Sequence, residues 1–144
     1  MLNENLREEI NELEKKIEET LKSMEIASDL ITKTNIEIMK TQEQLQLAEI
    51  EIRLNTDFKA VGCNNKEERE MYIMSIPDYR ELYLQKRDLE IDLSEYRHRY
   101  GVDERQLKMY NKIYSRLVTL EEYELEKNRV FDRVVSLERK CGGK

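Results

Sequence analysis

The single histidine of this sequence, His98, lies in Tyr96-Arg97-His98-Arg99-Tyr100, with no second histidine or suitably spaced cysteine to share a metal ion. It reads as a solvated side chain. Cys63 and Cys141 stand 78 positions apart and fit no zinc or redox spacing, so they read as free thiols. Carboxylate pairs such as Glu8/Glu12 and Glu121/Glu124 are plentiful. Acid–base catalysis, however, needs a pocket that shifts their pKa values and holds a substrate, and an exposed helix offers neither. There is no glycine-rich phosphate loop, nucleophile elbow or lipidation signal. The expectation is a protein that is not an enzyme and has no metal, cofactor or small-molecule substrate.

One set of charges is patterned. Arg97, Arg99, Arg105, Lys108, Lys112 and Arg116 face only Asp103 and Glu104 in the same stretch and alternate with tyrosines. Such a stretch suits contact with a nucleic-acid backbone. It also suits pairing with an acidic partner helix: residues 1–57 carry 7 basic and 14 acidic side chains, and Glu19, Glu25, Asp29 and Glu37 would flank a seam whose register ion pairs fix. Both readings stay open, although the net charge of −6 opposes general attraction to phosphate.

The elements that must position these residues are helices. Ile10, Ile17, Met24, Ile31, Ile38, Leu45 and Ile52 recur every seven positions, a heptad row that on a helix points at one partner. The companion row three positions on, Leu13, Thr20, Ala27, Thr34, Thr41, Ala48 and Asn55, is mostly small. The facing helix should therefore approach closely or insert bulk there. With 39% charged residues, no Trp and a mean hydropathy of −0.81, the composition is that of long paired helices, not of a compact globule. No apolar run reaches the roughly 18 residues needed to span a bilayer, and the first residues lack the form of an export signal. The expected location is the cytoplasm.

In chain order, the pattern predicts a helix over 3–55, of about 80 Å by the helix rise. A second apolar row on it, Ile26, Leu30, Ile36, Leu47, Ile50 and Leu54, falls off the heptad seam and is expected to mediate self-association, as a dimer. Residues 56–76 read as a tip: a loop around Gly62, a capping box from Asn65 and Glu68, and a short helix from Lys66 to Met74. Phe58, Val61, Met71, Tyr72 and Met74 would form an apolar plug there, or a binding surface for a protein partner. Pro77 opens a second long helix, 77–140, with Ser75 or Asp78 serving its free amides. The Leu82, Leu89, Leu93, Tyr96, Tyr100, Leu107, Tyr110, Tyr114 row keeps phase across Gly101, so this helix should run through the glycine. Leu120, Phe131, Val134 and Leu137 continue the apolar side less regularly.

The fold class is thus all-α: residues 1–144 as one antiparallel helical hairpin with a short helix at its tip, self-associating into a helical bundle. Joining the helices near Asn55 and Asp78 makes paired positions add to roughly 130–135, with tyrosine rings over the small row. Tyr96, Tyr100, Tyr110 and Tyr114 are then core residues with hydroxyls at the seam edge.

Asn55-Thr56-Asp57-Phe58, the segment Asn65-Lys66-Glu67-Glu68-Arg69-Glu70-Met71-Tyr72 and the two flanking helices resemble a loosely defined set of small phage and prophage proteins. The resemblance implies a phage accessory protein and carries over no catalytic residue. Three roles fit it. One is a non-enzymatic coiled-coil interaction protein that binds a protein partner through its tip or its helices. Another is an accessory of single-strand DNA annealing or recombination using residues 97–116. The third is an inhibitor of a host defence such as a CRISPR effector.

Overall fold

The structure, a computed structural model, describes residues 2–142. It contains α1 (Leu2–Asn55), α2 (Lys66–Ser75) and α3 (Pro77–Gly142), with no strand among the described residues. α1 and α3 pack together as a helical hairpin, and each boundary lies within two residues of its expected position. Contacts group into two units: residues up to Met24 with those from Gly101, and Glu25 to Tyr100.

In the first unit Leu6, Ile10, Leu13 and Thr20 of α1 are buried, Ile10 to 1% exposure. Three side-chain hydrogen bonds fix antiparallel pairing. Arg7 Nη1 donates to Glu121 Oε1 (3.3 Å), Tyr114 OH to Glu14 Oε1 (3.2 Å) and Ser23 Oγ to Asp103 Oδ2 (2.6 Å). In the second unit Ala27, Thr34, Thr41 and Leu45 are buried on α1 and Leu93 on α3, while Lys86 Nζ donates to Gln42 Oε1 at 2.5 Å.

Pairs 7/121, 14/114 and 42/86 each add to 128, and 23/103 to 126. The register is therefore offset from the expected 130–135. Where α3 begins, Asp78 and Tyr79 line one surface with Ala48, Ile52 and Asn55 of α1, while Leu54 is 80% exposed.

The small row is the more buried of the two heptad rows. Thr20, Ala27, Thr34 and Thr41 are buried, whereas Ile17, Met24, Ile31 and Ile38 are half-buried. Short side chains let backbones approach, and the larger ones then cover the contact from its flank. A buried hydroxyl needs a partner. Thr20 Oγ1 donates to the Lys16 carbonyl (2.7 Å) and Thr41 Oγ1 to that of Glu37 (2.9 Å), each one turn back along the helix. Tyr96, Tyr100, Tyr110 and Tyr114 are half-buried, as rings at a seam edge should be.

Candidate protein-binding surfaces

The connection between α1 and α3 is built by local hydrogen bonding. Asp57 Oδ1 accepts from the amides of Lys59 (3.2 Å) and Ala60 (3.4 Å), starting one turn of chain. That turn ends with the Cys63 amide donating to the Phe58 carbonyl (2.8 Å) and the Gly62 amide to that of Lys59 (3.2 Å). This is the Schellman pattern, which needs a left-handed residue, here Gly62 with φ +79°. Asn65 then caps α2 by accepting from the Glu68 amide at 2.8 Å. Glu68 reaches back to the amide of Asn64 (2.7 Å), one residue earlier than a capping box places it. Ser75 caps nothing: its hydroxyl donates to the Tyr72 carbonyl (2.5 Å). Ile76, extended as a residue before proline must be, is the one link from α2 to α3.

Of the expected plug, the structure brings together Phe58 and Tyr72, whose rings meet edge to face at 6.1 Å. The Arg69 guanidinium stands 5.5 Å from the centre of the Phe58 ring, and the buried Arg69 Nε has no hydrogen-bond partner. Cys63 and Ile73, which the sequence reading left out, are the buried residues of this region. Val61 and Met71 are not in the plug; both are exposed, Met71 to 72%. Met71 and the half-buried Met74 instead line an open groove of about 380 Å³ with Arg80, Tyr83 and Leu84. The signal for the last two was their position off the Leu82/Leu89 row.

The second apolar row of α1 is not covered within its unit. Ile26, Ile36, Leu47, Ile50 and Leu54 are exposed, Leu47 to 68%, and Leu30 is half-buried. The connection does not fold back over Leu47, Ile50 and Leu54, because the Schellman turn directs it into α2. Near the same end, burial raises the Tyr79 hydroxyl above its ordinary value of 10.0, and the Glu49 carboxylate adds to this while Arg53 opposes it. The Tyr114 hydroxyl is also raised, first by its hydrogen bond to Glu14.

The basic stretch divides between the units. Arg97 and Arg99 belong to one; Arg105, Lys108, Lys112 and Arg116 belong to the other and are exposed. Spacings of three, four and four place these last four on one face of α3. Their expected pairing with Glu19, Glu25, Asp29 and Glu37 is not built within either unit. Lys108 pairs with Glu104 one turn away (3.8 Å), and seam-edge contacts are made by Ser23–Asp103 and Glu14–Tyr114. Among the described residues no group of three His, Cys, Asp or Glu side chains gathers as metal ligands do, and no helix is long and apolar enough to cross a membrane. Comparison with protein-family models, curated proteins and solved structures returned no match.

Proposed function

We propose that this chain is a non-enzymatic coiled-coil interaction protein, a cytoplasmic phage or prophage accessory that binds a protein partner. The supporting observation is the uncovered apolar row Ile36, Leu47, Ile50 and Leu54 in the same unit as the methionine-lined groove of Met71, Met74, Tyr83 and Leu84. Exposed apolar surface of this kind marks interaction sites, and methionine suits adaptable ones. A host-defence protein such as a CRISPR effector is one partner of this class. The reading is tested by placing a photoreactive side chain at Ile50 or Met71 and irradiating in host lysate. A discrete adduct with one other protein, lost on Ile36→Glu/Leu47→Glu, is expected. No adduct from either position would overturn it.

The exposed face of Arg105, Lys108, Lys112 and Arg116 favours a second reading, an accessory of single-strand DNA annealing. Gel shifts with single- and double-stranded DNA across salt separate the two. Salt-dependent binding abolished by Lys108→Glu/Lys112→Glu would favour DNA; no shift at physiological salt would remove it.

A further inference from the structure

α3 carries two seams. The one that meets α1 runs through Tyr110, Tyr114 and Leu117 and then turns polar at Glu121, Glu124 and Asn128. On the neighbouring face, Leu120, Tyr123, Lys127, Val130, Val134 and Leu137 alternate by three and four, the spacing of a coiled-coil seam. Ile113 and Met109 extend the same alternation toward Gly101. All these side chains are exposed, Tyr123 to 64% and Leu137 to 61%. From Leu125 to Cys141 only Val135 is even half-buried. A heptad seam this regular is one half of a coiled coil. The apolar row of α1 has no such alternation, its gaps being 4, 6, 11, 3 and 4.

We infer that this seam of α3 pairs with the same seam of a second copy of the chain, antiparallel and two-fold symmetric. Charge selects the occupant and the register. Pairing Leu120 with the partner's Leu137, Tyr123 with the partner's Val134 and Lys127 with the partner's Val130 sets Glu126 beside the partner's Arg133, twice by symmetry. Among the described residues Glu126 makes an exposed contact with Arg129 at 3.9 Å. Sliding one heptad one way sets Glu126 against the partner's Glu126. Sliding the other way sets Arg133 against the partner's Arg133. A parallel pair stacks Lys127 on the partner's Lys127 and Arg116 on the partner's Arg116 inside the seam. The slid pair that opposes the two Arg133 side chains also places Glu126 beside the partner's Lys140, but only the first arrangement sets no like charges against each other on its flanks, and Lys127 stacked on the partner's Lys127 disfavours the parallel pair.

The inference rests on the reading of the chain as an interaction protein but uses a different surface, so the two fail separately. The test uses full-length chains with Cys63→Ala and Cys141→Ala, carrying either Leu120→Cys or Leu137→Cys. Mixed and oxidised, the two should form a disulfide dimer containing one chain of each kind, while neither alone cross-links. Cross-linking of each variant alone would show a parallel pair and overturn the geometry. Sedimentation equilibrium supplies the second readout. Arg133→Glu should weaken the dimer at least about tenfold, and adding Glu126→Arg should restore it. Ile36→Glu/Ile50→Glu should leave it unchanged. A native chain that stays monomeric at micromolar concentration, or a dimer insensitive to the charge swap, would overturn the inference, including the case in which another protein occupies the seam.

Discussion

Two glycines on this chain are asked for opposite things. Gly62 holds φ +79° at the end of the Schellman turn, where any Cβ is strained although the space around it is empty. Gly101 is helical, and a methyl there also meets nothing within 4 Å. The same substitution should thus change stability in opposite directions. Gly62→Ala is expected to cost about 1 kcal/mol, and Gly101→Ala to add about 1 kcal/mol by helix propensity. Urea unfolding followed by circular dichroism measures both; equal signs would contradict the local geometry. At this scale the sequence was readable wherever chemistry is local. Asn65 as a cap and Pro77 in the first helical turn both follow from side-chain type. What was not readable was choice among nearby partners, as when the Ser75 hydroxyl turned to the Tyr72 carbonyl.

At the scale of elements, the seam of α1 depends on its small residues. Ala27 and Thr34 are buried at positions that a regular coiled coil fills with leucine. Their size sets how close α3 comes. Ala27→Leu should therefore destabilise the chain by about 1–3 kcal/mol through overpacking. Ile10→Ala, at the most buried position, should cost about 2–5 kcal/mol through the cavity it leaves. Denaturant midpoints would check both, and an unchanged midpoint for Ala27→Leu would show that the helices are not in close contact there. Helix identity and phase through Gly101 were legible because heptad spacing is a local property. The register was not, since it depends on how many residues the connection absorbs. Met71 shows a different limit: hydrophobic type alone does not say which side of a short helix faces inward, and in α2 Ile73 takes that position, while Val61 lies exposed in the loop before it.

Within each unit α1 and α3 pack their inner seams on each other, which leaves their outer faces as the surfaces a partner can meet. Composition made the absence of a catalytic pocket an expectation, but no residue pattern names a partner, because docking surfaces are defined by what they meet. The outer seam of α3 is faint in the sequence because Arg116 and Lys127 interrupt its apolar character. The hairpin is held by the pairing of the inner seams. The most direct measurement is a pair of spin-label distances in one chain, with native cysteines replaced and labelled chains diluted in unlabelled ones. Labels at positions 14 and 114 should lie roughly 10–20 Å apart, allowing for label length beyond the 8–10 Å between helix axes. Labels at 14 and 121 should lie farther apart, by the rise of about two helical turns along α3. A shorter distance for 14 and 121 than for 14 and 114, or no short distance for either, would contradict the hairpin register.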